Sequence, residues 1–496
     1  MVKEEVQEKV VLLEPVQDDY NQAELPVLKI VGPGDPRWKN LLQVFSNPVS
    51  QAMLLAGPEF LNFPEPFTGK IPVAINWDQP LARRGFILKK GEEMKVHSET
   101  YFVTLDTSPA VVQEGGVEEI FPHELSHVFL LMLLGEENVY SRFRSTRMHL
   151  TTSTTDEALA FFEGWGNHLQ PLSRDFTRND AFLFRTCFAP GPQEFWCCKR
   201  EDRLRLQGVP ANIFIHPPRE IDPPPRDLDT WYRDHLTSVN LAEDRLKNAN
   251  QLLASEGVMA SFFYILARNL IAPPRSLSLA DYFRLSLGVI KGMKSYLDQD
   301  PIFSPDFFFP TRPPLLLIFL KTWKELFPAG YQEVWQVFLE NTRLQTFSRE
   351  LLEMLEPIYR AGRYGKIEKL QELIPSWRGK NQKLLEDALA SPNPLPLYGP
   401  ELWVRNQEFQ VAFGLWMEEP LSPLTFDLNA AELFDLMTIP GMETGPARAI
   451  LKSREKNGLF HSLQDLYERV DLSPDLRATI KSMAGAMVQD SSVKYF

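Results

Sequence analysis

Cysteine is scarce: the 496 residues hold three, Cys187, Cys197 and Cys198. So odd and sparse a count is no disulfide framework, and no C-x-x-C pair exists for a second zinc. Buried or incidental thiols are the plain reading; a bridge from Cys187 to Cys197 or Cys198 stays open for an exported protein. Histidine is scarce too, at eight. Positive charge is short: 52 Lys and Arg stand against 65 Asp and Glu, a net of −13. Such an acidic chain has no general pull towards nucleic acid or anionic membranes. No apolar run reaches transmembrane length, which excludes a spanning helix, and no membrane partner is expected. The N-terminal stretch MVKEEVQEKVVLLEPVQDDY is too charged for a signal peptide. A soluble protein is therefore expected, cytoplasmic or, if a leader has been removed, exported.

What is present is ordinary globular composition, 44% hydrophobic and 24% charged. The length exceeds one compact core and asks for several domains. Forty prolines point to many loops and abrupt element ends. Residues 1–60 read as a charged, loose tail followed by a leading helix, Trp38 to Leu55. Strand signals follow at Pro72–Trp77. They continue at Arg84–Lys90 and His97–Thr107, around the Gly91-Glu92-Glu93 turn.

The segment Ile120–Gly135, IFPHELSHVFLLMLLG, carries His123, Glu124 and His127 in the order H-E-x-x-H. Two histidines four apart on a helix share a face, so both imidazoles can reach one ion. Pro122 fits a first helical turn and Gly135 a stop, so the helix is expected to begin at the proline. Val128–Leu134 is apolar all round, the mark of a helix buried on every side. The bland alternative is a chance match on a core helix with satisfied histidines. Buried polar side chains need a purpose, however, and metal binding supplies one.

A second segment, TTDEALAFFEGWGNHL at Thr154–Leu169, opens with a T-x-x-E capping box, Thr154 and Glu157. Glu157 thus has a local task. Glu163 has none, and lies among Ala160, Phe161, Phe162 and Trp165, where an unpaired carboxylate is costly. Small Ala160, Gly164 and Gly166 would let another helix approach closely. Asn167 is one turn beyond Glu163 on the same face and could orient a ligand.

HELSH followed by a helical FFEGWGNH resembles a gluzincin metallopeptidase, in which H-E-x-x-H precedes E-G-x-[AG] on a second helix. The resemblance spans about residues 70–175; Gly166 stands where alanine is usual. It implies that His123, His127 and Glu163 bind Zn2+ and that Glu124 is the general base, with a peptide or protein as substrate. It also implies a zincin-like core, a small sheet plus the H-E-x-x-H helix. Zinc lowers the pKa of its water to about 7, and the resulting hydroxide attacks a carbonyl. Tyr140, His149, His168 and Tyr264 are the candidate oxyanion donors. Glu256, in the helical run NANQLLASEGVMASFFYILARNLI, also precedes a glycine and is a rival third ligand.

The Pro-rich HPPREIDPPPRD at 216–227 reads as a stiff linker. Helical patterns then run from Leu228 to about Trp377, without a fixed-period repeat. Pro392–Pro400 is a second linker. Beyond it, residues Leu428, Asn429, Ala431, Ile439, Pro440, Gly441, Ala447, Ile450, Arg454, Gly458, Phe460, Leu463, Asp465 and Leu466 carry a pattern. That pattern resembles the tandem helix-hairpin-helix domain of competence-type DNA receptors. Such hairpins bind phosphate through backbone N–H groups exposed by paired glycines. Here Glu443 replaces the second glycine, and the second hairpin, Val470-Asp471-Leu472-Ser473, has none. Residues 421–496 hold eight Lys and Arg against ten Asp and Glu. DNA binding is accordingly disfavoured, and packing or a protein partner is expected at this domain.

The whole is expected to be α+β and mostly helical. A tail and leading helix (1–60) precede the zincin-like core (61–225). A helical domain (226–391), a linker (392–425) and the helix-hairpin-helix domain (426–496) follow. The expected function is a zinc-dependent metallohydrolase, a peptidase. The alternatives are a DNA-binding adaptor and a partner-binding pseudoenzyme with a vestigial zinc site.

Overall fold

The computed structural model describes residues 8–16, 25–77, 80–140, 157–183, 252–298, 314–342, 366–390, 403–411, 422–428, 439–457 and 462–484, with isolated positions between them. Thr154, His149, the three cysteines and the 216–227 linker lie outside the described residues. The described part is mostly helical with two small sheets. None of its helices is long and apolar enough to cross a membrane. The chain divides into two compact units: Met1–Glu136 with Trp165–Arg205 and Phe263–Leu297, and Glu137–Gly164 with Leu206–Phe262 and Asp298–Phe496.

The first unit is built on five strands, β1 (Val10–Pro15), β2 (Val27–Ile30), β3 (Ile71–Ile75), β4 (Leu81–Lys90) and β5 (Glu93–Leu105). They close into a barrel in the order β1-β2-β4-β5-β3. β4 and β5 form the long antiparallel hairpin, with Arg83 opposite Phe102. β3 lies parallel to β5, Val73 opposite Val103. β1 lies parallel to β3, Leu12 opposite Val73, and antiparallel to β2, Leu13 opposite Ile30. β2 returns to β4 in parallel, Leu28 opposite Leu88. Leu12, Leu28, Val73, Phe86, Leu88 and Phe102 are buried along these strands.

Two expectations are corrected here. The first thirty residues are not merely a loose tail, because Val10–Leu13 pairs with β3 and supplies a strand. The sheet is likewise not the open sheet of a zincin. β4, β5 and β3 alone would have two free edges, and β1 with β2 bridges them into a closed barrel.

Around the barrel lie α1 (Arg37–Phe45), α2 (Pro48–Ala56) and α3 (Gly116–Leu134). Helix α3 carries H-E-x-x-H and begins before Pro122, which is interior to it. Gly115 makes the earlier start possible: at φ 82° it turns the chain, and its carbonyl accepts from Glu119 N–H at 3.0 Å. Pro122 then forgoes one helical hydrogen bond. α3 packs on β4 and β5 and against α2, α5 (Leu169–Asp175) and α7 (Leu279–Leu297). Enclosure from all these sides explains its all-round apolar composition. Each fully buried Leu or Phe contributes roughly 1.5–3 kcal/mol.

Two further helices change unit within their length, α4 (Glu157–Asn167) and α6 (Glu256–Ile271). In the second unit follow α8 (Leu315–Leu326), α9 (Tyr331–Asn341) and α10 (Ile367–Ala390). Glu157 has a task beyond the capping box expected with Thr154, which lies outside the described residues. Its carboxylate accepts Leu315 N–H at 3.1 Å, at the start of α8, where Pro314 offers no cap. The Asn341 side chain donates to Val258 O at 2.8 Å, and Trp335 Nε1 to Ala388 O at 3.0 Å.

The stretch expected as a linker contains a strand: β6 (Trp403–Val411) pairs antiparallel with β7 (Ser422–Asp427). Then come α11 (Thr444–Asn457), α12 (Leu463–Arg469) and α13 (Pro474–Met483). Their core holds Leu428, Ile439, Ala447, Ile450, Phe460, Leu466 and Ile480. Ser462 and Ser473 cap α12 and α13, accepting from Asp465 N–H and Leu476 N–H.

A candidate metal centre and the C-terminal hairpins

The helical period places His123 and His127 on one face of α3, and their Nε2 atoms lie 3.1 Å apart. Their rings are nearly perpendicular, at 85°. Both are buried, at 7% and 5% exposure. Glu163, half-buried on α4, completes a group of three whose ligand atoms lie within 4.8 Å of one another. It is the one such group among the described residues. Two imidazole nitrogens and one carboxylate oxygen form a donor set that suits zinc.

The rival acid, Glu256, is buried at the start of α6 but does not belong to the group. Its carbonyl packs against α4: a Cβ added to Gly164 would lie 3.1 Å from it and 2.3 Å from Met259 Cβ. Close helix approach is therefore the task of Gly164. Gly166 faces the other way, towards the ring of His123. Asn167 is buried at the end of α4.

Glu124 is 8% exposed, and its Oε2 accepts the backbone N–H of Ala82, on β4, at 3.0 Å. Sequence reasoning missed this contact, since a main-chain donor leaves no mark in the residue type. Of the candidate oxyanion donors, Tyr140 is half-buried at the end of the short helix Glu136–Tyr140. His168 is a core residue. Its Nδ1 is bonded to Trp165 O and its Nε2 lies 3.1 Å from Tyr282 Oη. Burial pushes its pKa down from 6.5 to about 3. Tyr264 is engaged elsewhere, donating to Asp175 at 2.6 Å beside Arg268, which pairs with the same carboxylate.

At the C-terminal hairpins two basic side chains, Arg469 and Arg477, brace the fold. The Arg469 guanidinium lies 4.2 Å from the Phe460 ring centroid and donates to Asn457 O at 3.2 Å. Arg477 Nε donates to Leu472 O at 2.9 Å, and Tyr467 Oη donates to Arg477 O at 3.1 Å. Gly441, at φ 77°, keeps the first hairpin turn. Glu443 and Asp471 at the two hairpins are both exposed.

Residues 424–482 match the family described as helix-hairpin-helix motif. No curated protein and no solved structure gives a significant match to the chain.

Proposed function

We propose that this protein is a zinc-dependent hydrolase of gluzincin type that cleaves peptide bonds. His123, His127 and Glu163 are its metal ligands and Glu124 its general base. The observation that carries the reading is the convergence of the three donors to within 4.8 Å. A tetrahedral zinc with bonds of about 2.0–2.1 Å needs donor–donor edges of about 3.3 Å. The two imidazole nitrogens, at 3.1 Å, are already close to that edge. Three protein donors rather than four is the pattern of catalytic sites, which keep one position for water. Because the sheet is a closed barrel, the reading rests on these side chains and not on the architecture around them.

When bound, zinc supplies Lewis acidity and makes a coordinated water acidic, with a pKa of about 7. Glu124 takes the proton from the attacking water on its carboxylate and delivers it to the departing amine. Ala82 N–H fixes the orientation of that carboxylate. His123 and His127 are held by α3, whose burial keeps the face rigid. The test is zinc content together with chelator-sensitive peptide hydrolysis by the full-length protein, against Glu124→Gln. Zinc in both proteins with no difference in turnover would overturn the peptidase and favour a partner-binding protein that retains its metal.

The family match at 424–482 favours a second reading of the C-terminal region as an interaction module. Its acidic balance, the acids at both hairpins and the internal use of Arg469 and Arg477 favour a protein partner over DNA. A salt titration on duplex DNA decides this, since phosphate binding must weaken steeply with salt.

A further inference from the structure

The barrel closes, yet β5 is longer than the wall it belongs to. β3 pairs with it at residues 103–105, and no described strand lies on that side of residues 93–98. The register decides which main-chain groups this edge presents. Ile87 stands opposite Val96, and its N–H is given to Pro26 O at 2.9 Å, away from β5. Ile87 and Val96 are therefore a non-hydrogen-bonded pair, so Val96 turns its N–H and C=O outward. Met94, two residues earlier on the strand, does the same. These two also carry the most exposed large apolar side chains of the first unit among the described residues, at 52% and 60%. Their outer face continues through Ile87 to Val27 of β2. Lys95 lies between them and is exposed.

Such an edge is a template for another strand. A second copy of β5 fits it poorly. In an antiparallel pair, residues with outward groups must face one another. Setting Met94 against Val96 puts Lys95 opposite Lys95, and setting Val96 against itself puts Glu93 opposite Glu99. Like charges directly opposite are destabilising. Setting Met94 against itself overlaps residues 93–95 alone, because β5 begins at Glu93.

We propose that the edge of β5 at Met94 and Val96 docks an extended acidic segment of a partner protein, which adds to the sheet as one more strand. The two residues offer it two N–H and two C=O groups. Apolar residues of the segment lie beside Met94 and Val96, and an acid between them faces Lys95. The lysine that keeps a like strand away thus attracts an acidic one. Ile87 is five residues along β4 from Ala82, the residue that holds Glu124, or roughly 17 Å at the rise of a strand. The edge is therefore apart from the metal centre and does not depend on the zinc reading.

The test uses the full-length protein and two end-blocked fluorescent peptides, Val-Glu-Val-Glu-Val and Val-Lys-Val-Lys-Val. By anisotropy at low salt the acidic peptide should bind about 10-fold tighter than the basic one. Val96→Pro removes an outward N–H without taking a bond from the β4 ladder, and should weaken the acidic peptide about 10-fold. Lys95→Glu should reverse the preference between the peptides. A chelator should change none of this; loss of binding on chelation would put the peptide at the metal centre and overturn the proposal. So would equal affinity for the two peptides, or no binding of either. A dimer in sedimentation that Val96→Pro dissociates would overturn it too, since a second copy would then hold the edge. Should Val96→Pro fail to fold, Lys95→Glu decides alone, and an unchanged preference overturns the proposal. A protein that takes up no zinc would end the hydrolase reading and leave this one standing.

Discussion

Ala82 and Glu124 are joined across two elements: the main-chain N–H of β4 donates to the side-chain carboxylate of α3 at 3.0 Å. The barrel thereby holds the acid to which the proposed mechanism assigns proton transfer. A backbone donor is fixed by the fold and needs no reorganisation during a reaction.

Replacing Glu124 by Gln keeps an oxygen for that N–H but removes the proposed base. Peptide hydrolysis should fall by about 10²- to 10⁴-fold, the usual contribution of a general base. Zinc content and melting temperature should stay those of the wild type. Turnover and metal analysis on the same preparation check both halves of this expectation.

Metal removal should destabilise the folded chain, because a ligand that binds the native state alone stabilises it by mass action. At a free zinc concentration of 100 times Kd the effect is about 2.7 kcal/mol. A chelator should therefore lower the melting temperature of the wild type, and leave His123→Ala and Glu163→Gln almost unmoved. Equal shifts in all three would point to zinc held elsewhere.

His168 should make the fold acid-sensitive. Its pKa drops from 6.5 to about 3 on burial, so the unfolded chain takes a proton that the folded chain refuses. The contribution is fully present above pH 6.5 and is lost as the pH falls through the window down to about 3. At pH 5 the loss amounts to about 2 kcal/mol. Urea unfolding at pH 7 and pH 5 measures it, and His168→Gln should flatten this part of the pH dependence.

Gly164→Ala should destabilise through packing alone. Its new Cβ would meet Met259 Cβ at 2.3 Å and the Glu256 carbonyl at 3.1 Å. Overpacking of this kind costs about 1–3 kcal/mol. Chemical denaturation reads the loss, and a variant as stable as the wild type would show that α4 and α6 can slide apart.

The C-terminal helices should bind duplex DNA weakly at low salt, without the steep salt dependence of a phosphate-binding surface. Glu443→Lys with Asp471→Lys should strengthen binding, because both acids are exposed at the hairpins. Tight, strongly salt-dependent binding by the unaltered protein would instead support the DNA adaptor.

What the sequence made legible was local. His123 and His127 could be placed on one face because four residues make one helical turn. Glu163 stood out because no neighbour gave it a task, and the structure brings it to the histidines while leaving Glu256 outside the group. The helix-hairpin-helix unit was legible from its glycine and apolar spacing. What stayed hidden depended on distant partners. The pairing of Leu12 with Val73 joins segments some sixty residues apart, and nothing near Leu12 announces it. Nothing near Glu157 announces that its carboxylate serves Leu315. Pro122 suggested a helix start because the turn that precedes it depends on the φ of Gly115, which the residue name permits but does not fix.

The pairing of β1 with β3 bears on any attempt to shorten the protein. The N-terminal stretch looks dispensable by its charge, yet trimming it into Val10–Pro15 would strip a stave from the cylinder. β3 would be left with raw hydrogen-bonding groups along one side, a template on which a second molecule could stack. A truncation that removes Val10–Pro15 should therefore yield clumped material.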